Sequence, residues 1–137
     1  MWRWRAPEKS AVPLASPPAK ALVCRAPLGV VLFIAPWNYP VQLLLTPMVG
    51  ALAAGNTVVI KPATDTPLSV YHMIQILTEA GLPRCVVNMV TGSGASVGAP
   101  LMKHPQVALV SFTGSTDLGR QGGEACAPPW RASPLRL

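Results

Sequence analysis

Four short apolar runs recur along the chain, and each is followed by a segment with helical spacing or turn-forming residues. The runs are GVVLFIA (29–35), TVVIK (57–61), CVVNMV (85–90) and VALVSF (107–112). Strands that are apolar on both faces and separated by helices predict a parallel sheet covered on both sides. We therefore expect an α/β fold, a Rossmann-like parallel sheet with flanking helices that is incomplete in this chain.

The segments between the first three runs carry signals for where helices start and stop. A helix is expected over 41–54, with Gly55 and Asn56 as its stop. In the second helix Thr66 can act as the N-cap, and Pro67 occupies the first helical position, where its missing N–H is not needed. Gly81 is expected to end that helix before the third strand.

The two ends of the chain differ from this alternating middle in composition and in hydrophobic pattern. Residues 1–26 form a predicted irregular arm rich in Pro, Ala and Ser, and residues 121–137 a predicted irregular tail. Residues 27–120 between them are the predicted nucleotide-binding unit. A helix opening at Ser115 is expected to stop before Gly122-Gly123, because paired glycines disfavour a helix interior.

The formal net charge of +6 raises the question of a nucleic-acid partner. Five of the eleven basic residues precede residue 30, and the predicted helices carry no basic stripe. We expect no nucleic-acid partner.

Residues 26–60 contain no charged side chain, and an apolar stretch of that length could cross a bilayer. Prolines and other turn-forming residues divide it into pieces that are each too short to span one. These breaks are Pro36, Asn38, Pro40, Pro47 and Gly55-Asn56. We expect no membrane span.

The cysteines and histidines give no sign of a disulfide framework or a metal site. Cys24, Cys85 and Cys126 are odd in number and lack CxxC spacing, and His72 and His104 stand alone. We expect no metal and a reducing, cytoplasmic compartment.

Polar or glycine-rich segments follow each of the four predicted strands. They are PWN (36–38), KPATDTP (61–67), TGSGASVG (91–98) and FTGST (112–116). Ligands of parallel sheets bind beyond the carboxyl ends of the strands, and the free N–H groups at a helix N-terminus favour an anion. Each segment alone is a weak signal, and TGSGASVG has GxGxxxG spacing where the dinucleotide fingerprint has GxGxxG. Together they predict a mononucleotide or dinucleotide site.

Four longer segments, PLGVVLFIAPWNYP, ALAAGNTVVIKPATDTPLS, AGLPRCVVNMVTGSG and HPQVALVSFTGST, closely resemble the cofactor-binding segment of the aldehyde dehydrogenase superfamily. The resemblance covers about residues 27–120. It implies NAD(P)-dependent oxidation of a small-molecule aldehyde to a carboxylic acid, through a thiohemiacetal and a thioester. It also implies that the intact parent protein is a homo-oligomer.

The resemblance implies roles for individual residues as well. Asn38 matches the side-chain amide that donates to the oxyanion formed from the aldehyde. Lys61 matches the lysine at the adenosine ribose, and Thr64 stands where members that favour NAD often carry Glu. We therefore expect NADP to be tolerated and slightly favoured over NAD. The other implied cofactor-binding positions are Ala35, Pro36, Trp37, Gly94, Gly98, Phe112, Thr113, Gly114 and Ser115.

The sequence departs from the family pattern downstream of FTGST. Neither a LELGGK-like motif, which carries the general base, nor a GQxC-like motif, which carries the nucleophile, occurs in it. Cys126 of GGEAC is rejected as the nucleophile, and Cys85, where relatives usually have Gly, is given no role. We expect an inactive fragment, produced by truncation or by a shifted reading frame after about Gly119 or Arg120. The alternative is a binding-only remnant or pseudoenzyme.

Overall fold

The computed structural model describes residues 6–12, 19–126 and 135–136, and a parallel sheet organises most of them. Its strands lie in the order β5-β4-β3-β6-β7, and every neighbouring pair is parallel. The prediction of an α/β fold with a parallel sheet and flanking helices is confirmed. In chain order the elements are β1 (Glu8–Ser10), β2 (Ala21–Val23), β3 (Val30–Ile34), α1 (Gln42–Ala53), β4 (Thr57–Lys61), α2 (Pro67–Glu79), β5 (Val87–Met89), a π-helical turn (Gly94–Gly98), α3 (Ala99–Lys103), β6 (Val107–Thr113), α4 (Thr116–Cys126) and β7 (Leu135–Arg136).

Each face of the sheet has its own hydrophobic core. Alternate residues of a strand point to opposite faces, so Val31 and Phe33 pack on one side while Leu32 packs on the other. The first core lies under α1 and α2 and includes Leu44, Met48, Val58, Ile60, Val70, Met73 and Val87. The second core includes Met102, Val107, Val110 and Phe112. This separation leaves the second face to build the cleft described below.

Helices α1 and α2 lie close to their predicted bounds. Pro67 is the first residue of α2, as expected, but Thr66 does not cap the helix. Its Oγ1 is buried and has no hydrogen-bond partner within the described ranges. The backbone of Thr66 (φ −131°, ψ 43°) accounts for this, because it differs from the extended geometry that aims a capping side chain at the first turn. Among the described helices, none is both long and apolar enough to cross a membrane.

The expectation of an irregular arm differs from the structure over the described part of residues 1–26. Strands β1 and β2 pair antiparallel, with Lys9 opposite Leu22, as a ribbon separate from the main sheet. An ion pair between Glu8 and Arg25, 2.8 Å long, links the two sides of the ribbon. Three-residue strands show too little alternation to be found from their sequence.

The expectation of an irregular tail from residue 121 is wrong for the first residues of that range, because α4 continues through Gly122-Gly123 to Cys126. Gly122 is buried, and a Cβ at that position would lie 3.2 Å from Sδ of Met102 in α3. Close packing of α4 on α3 therefore offsets the low helix propensity of glycine. The side chain of Cys126 and residues 127–134 lie outside the described residues.

Helical structure begins five residues after the end of β5, within the glycine-rich segment. Residues 94–98, predicted as a turn, form one π-helical turn that leads directly into α3. Ser93 caps this turn, because its Oγ accepts a hydrogen bond from the backbone N–H of Ser96 at 3.0 Å. The cap supplies a partner for a backbone donor that the first turn leaves free.

Cys85 is the one described residue other than glycine with a positive φ, 65°. This left-handed conformation costs a residue with a Cβ about 1 kcal/mol or more. We expect Cys85→Gly to raise the free energy of unfolding by about 1 kcal/mol, measured by urea denaturation. Cys24→Gly, at an exposed cysteine without a positive φ, is the matched control and is expected not to stabilise the chain. Equal effects of the two substitutions would contradict strain at Cys85.

Candidate functional site

Three central strands end at the same level, and this alignment creates the candidate site. In the sheet register Ile34 of β3 pairs with Lys61 of β4 on one side and with Phe112 of β6 on the other. Because parallel strands share their direction, the loops that follow these residues leave the sheet at one edge. Segments far apart in the sequence are thereby brought together.

A cleft of about 350 Å³ lies at this edge, on the side of the sheet that carries α3 and α4. Its volume is within the range of small-molecule and cofactor sites. All eleven positions predicted to bind a cofactor line it, and Asn38 does not. The lining residues are Ile34, Ala35, Pro36, Trp37, Lys61, Ala63, Thr64, Gly94, Gly98, Met102, Phe112, Thr113, Gly114, Ser115 and Leu118.

Two glycines allow the cleft walls to take this shape. At Gly114 a Cβ would lie 2.6 Å from Cζ of Phe112, so the turn after β6 can pass over the phenyl ring only if residue 114 has no side chain. At Gly92 φ is 148°, and a Cβ would collide with Cγ2 of Val97. Gly114, which lines the cleft, therefore exposes backbone where a ligand can approach it closely, and Gly92 shapes the adjoining loop after β5.

The turn after β6 leads into α4, whose N-terminus faces the same region. Ser115 is exposed, lines the cleft and immediately precedes the first residue of α4, Thr116. The first N–H groups of a helix have no partner within the helix and carry a partial positive charge. This end of the cleft can accept an anion such as a phosphate.

Lys61 is 5% exposed, although it carries an ammonium group. Its Nζ donates a hydrogen bond to the carbonyl oxygen of Pro62 at 2.9 Å, and no carboxylate among the described residues forms an ion pair with it. Loss of hydration on burial lowers the pKa of Lys61 from its ordinary value. Since Nζ uses one N–H group for the Pro62 carbonyl oxygen, its other N–H groups can donate to a ligand in the cleft.

Thr64 joins the loops that follow β4 and β5. Its exposed hydroxyl lies 3.5 Å from the carbonyl oxygen of Gly92, to which it donates a long hydrogen bond. The Thr64 side chain is neutral, and so are the other side chains around the cleft except Lys61. None of the lining residues therefore presents a carboxylate to a phosphate; the neighbouring carboxylates, Asp65 beside Thr64 and Asp117 in the first turn of α4, are exposed and do not line the cleft.

Asn38 lies next to the cleft, in the turn between β3 and α1. Its side chain is exposed, and its Oδ1 accepts a hydrogen bond from the backbone N–H of Tyr39 at 3.1 Å. Because a backbone N–H can only donate, this contact identifies the oxygen and leaves the amide NH₂ pointing elsewhere. The NH₂ group has no protein partner in the described part of the chain, so it can donate to a developing oxyanion.

Four residues that line the cleft were not among the predicted positions: Ile34, Ala63, Met102 and Leu118. Ile34 and Ala63 adjoin predicted positions in the sequence, so strand-end neighbours were a usable signal. Met102 and Leu118 reach the cleft from α3 and α4. A Cβ at Gly94 would lie 4.0 Å from the Leu118 side chain, a contact that depends on tertiary packing.

Among the described residues, no three His, Cys, Asp or Glu side chains are placed together to hold a metal ion. The site thus combines neutral side chains with one buried amine, and a helix N-terminus and an amide donor lie beside it.

The chain matches known proteins over most of its length. A sequence model described as "Aldehyde dehydrogenase family" matches residues 3–133. A phenylacetaldehyde dehydrogenase from Pseudomonas fluorescens is 46% identical over 119 residues, which are 87% of this chain and 24% of that protein. The chain spans about a quarter of the length of the first curated relatives it matches.

Solved structures agree in fold. An NAD-dependent benzaldehyde dehydrogenase from Corynebacterium glutamicum superimposes with a TM-score of 0.88 at 38% identity, over 97% of this chain and 29% of that one. PnpE in complex with nicotinamide adenine dinucleotide gives a TM-score of 0.85 at 43% identity, over 95% of this chain and 26% of that one.

Proposed function

The chain belongs to the aldehyde dehydrogenase family, and on this premise we propose that its cleft binds NAD or NADP for the oxidation of an aldehyde to a carboxylic acid. One observation carries the proposal. Eleven positions in four separate chain segments, selected from the sequence, surround a single cleft at the carboxyl edge of a parallel sheet. When bound, the dinucleotide supplies the hydride acceptor for the oxidation.

The residues of the cleft fit such a group. Gly114, Ser115 and the N-terminus of α4 would bind the pyrophosphate, since they combine exposed backbone with free N–H donors. Lys61 would donate to the hydroxyls of the adenosine ribose. Gly94 and Leu118, which lie side by side in the lining, would together form one apolar wall against which the flat, weakly polar adenine packs.

Asn38 would act on the aldehyde. Attack of a thiolate on the carbonyl carbon places negative charge on the carbonyl oxygen, and the unpaired amide NH₂ of Asn38 is a suitable donor for it. Trp37 lines the cleft and Asn38 follows it directly, so the aldehyde would lie between Asn38 and the dinucleotide. The nucleophile and the base belong to motifs that this sequence does not contain.

The full reaction is therefore proposed for a protein of the length of the relatives, a cytoplasmic homo-oligomer acting on a small-molecule aldehyde. Free, exposed thiols at Cys24 and Cys85 support a reducing compartment. For the 137-residue chain we propose dinucleotide binding without turnover. A binding-only remnant or pseudoenzyme is the second candidate, favoured by the missing LELGGK-like and GQxC-like motifs.

Calorimetric titration of the purified chain with NADP and with NAD tests the binding proposal, and reduced-cofactor absorbance with propanal tests turnover. We expect one binding site and no turnover. A folded chain that binds neither dinucleotide would overturn the cleft as a cofactor site. Turnover by this chain would overturn the binding-only form of the proposal.

We propose further that NADP is tolerated and slightly favoured, because Thr64 places no carboxylate near the ribose 2′ position. Thr64→Glu is expected to weaken NADP binding by about tenfold or more, roughly 1.4 kcal/mol, through repulsion of the 2′-phosphate. NAD binding is expected to be retained, since a carboxylate can accept from the ribose 2′-hydroxyl. Calorimetric titration of the variant with each dinucleotide measures the change in preference.

Thr64→Gln is the matched control, because it adds similar bulk without charge. It is expected to change the affinities for NADP and NAD by similar factors. If Thr64→Glu also weakened both equally, residue 64 would not select the cofactor by charge.

A further inference from the structure

Lys61 is the single ionisable side chain that lines the cleft in the described structure. Its Nζ has one identified acceptor, the Pro62 carbonyl oxygen, and the remaining hydrogens have no protein acceptor in the described part of the chain. Asp65, four residues later, is exposed and forms no ion pair with it. The amine is thus buried against a ligand-sized space without a counter-charge.

This environment favours the neutral form of the amine. Desolvation penalises the ammonium, and no neighbouring carboxylate restores its stability, so the pKa of Lys61 lies below its ordinary value. A neutral lysine amine in a partly apolar pocket is a nucleophile for carbonyl compounds. The apolar stem of Lys61 passes close to Gly98, since its Cδ lies 3.9 Å from where a Cβ would stand at that residue.

We propose that Lys61 is a site of reversible covalent modification by small aldehydes that enter the cleft. The lone pair of Nζ forms a bond to the aldehyde carbon while the carbonyl π bond breaks, and a proton passes from nitrogen to oxygen to give a carbinolamine. The hydroxyl group then leaves as water with the proton that remains on nitrogen, and the nitrogen lone pair forms the C=N bond of an imine. The sequence needs no oxidant or reductant, and hydrolysis reverses it.

The modification itself does not depend on dinucleotide binding, but its control does rest on the proposed function. A dinucleotide whose ribose lies at Lys61 would fill the space in front of Nζ and exclude the aldehyde. Bound cofactor would then shield the amine. The site stays unmodified only if the cofactor binds in the cleft before the aldehyde does.

The test uses the complete 137-residue chain with propanal at neutral pH, and sodium cyanoborohydride to reduce the imine to a stable propyl amine. Peptide mass spectrometry then measures the rate at each lysine. Lys103, an exposed lysine of α3, is the internal reference. We expect Lys61 to be propylated several-fold faster than Lys103, because a pKa below the ordinary value raises the fraction of neutral, nucleophilic amine at neutral pH. A rate at Lys61 equal to or below that at Lys103 would overturn the proposal.

Denaturation separates folding from local sequence effects. In concentrated urea we expect Lys61 and Lys103 to be propylated at the same rate. If Lys61 still reacted faster in urea, the folded cleft would not be the cause of its reactivity, and the proposal would be overturned. Lys61→Arg is expected to remove the fast reaction, whereas Lys103→Arg is expected to leave it unchanged.

Addition of NADP separates this inference from the proposed function. We expect saturating NADP to slow propylation of Lys61 and not of Lys103. Fast modification of Lys61 that NADP does not slow would uphold the modification site and contradict the dinucleotide site.

Discussion

Gly114→Ala is expected to reduce the affinity for NADP and NAD by at least about tenfold, or 1.4 kcal/mol. The new Cβ would lie 2.6 Å from Cζ of Phe112, closer than two non-bonded carbon atoms can approach. Phe112 is 3% exposed and packs in the second core, so the ring has little room to move. The turn must therefore shift, and its backbone donors and Ser115 shift with it. Calorimetric titration of the variant measures the loss, and displacements of this kind are costly because the donors are aimed at fixed positions.

Gly50→Ala is the matched control for this prediction. Gly50 lies within α1, away from the cleft, and a Cβ there meets no atom within 4 Å. We expect unchanged dinucleotide affinity and a gain of about 0.5–1 kcal/mol in stability, because alanine is the better helix former. If Gly114→Ala bound NADP as tightly as the unsubstituted chain, the turn after β6 would not contribute to the cofactor site.

Asn56→Ala is expected to lower the free energy of unfolding by about 3 kcal/mol, measured by urea denaturation. Asn56 is 7% exposed, and its Oδ1 accepts from the backbone N–H groups of Leu28, at 2.7 Å, and Gly29, at 3.0 Å. Its Nδ2 donates to the carbonyl oxygen of Ala51 at 3.0 Å. The side chain thus links the end of α1 to the chain entering β3. Its removal leaves the N–H groups of Leu28 and Gly29 without their acceptor, whereas the Ala51 carbonyl oxygen keeps its bond from the backbone N–H of residue 56.

Asn88→Ala provides the comparison, because Asn88 is exposed and makes one hydrogen bond, from Nδ2 to the carbonyl oxygen of Cys85. We expect it to cost less than about 1 kcal/mol. Similar losses for the two substitutions would show that the contacts of Asn56 are not responsible for the larger effect.

The regular elements of the sheet and its first two helices could be predicted because their signals are local and agree with one another. Val31 and Phe33 alternate with Leu32 between two buried faces, so their run is apolar throughout, as central parallel strands require. Pro67 and Gly81 lie at the two ends of α2, where a helix-starting proline and a helix-ending glycine belong.

The elements that were missed depend on contacts between distant residues. The helix through Gly122-Gly123 is held by packing on Met102, which helix propensity does not include. Asn56 was taken only as a helix stop, because nothing in its local sequence shows that two backbone N–H groups 27 and 28 residues earlier need an acceptor. Tertiary structure decides such positions.

The residues of the candidate site likewise fall into those that the sequence predicts and those that it does not. Residues at or near strand ends, such as Lys61 and Phe112, could be assigned to the site from the sequence. In a parallel sheet the carboxyl ends of all strands lie at one edge, whatever the order of the strands. Met102 and Leu118 could not, because they lie inside helices whose rotation about the axis is set by packing. Their role in the cleft required the three-dimensional structure.

Because β3, β4 and β6 end at the same level, insertions and deletions within these strands would disrupt the site. Insertion of one codon within β4 would turn every following side chain of that strand to the opposite face, moving Lys61 towards α1 and α2 and Ile60 out of the first core. Loss of the cleft and loss of the fold would occur together. Insertions in the loops beyond the strand ends do not have this effect. Length variation among descendants of this sequence is therefore expected in the loops, with the strands keeping a constant number of residues.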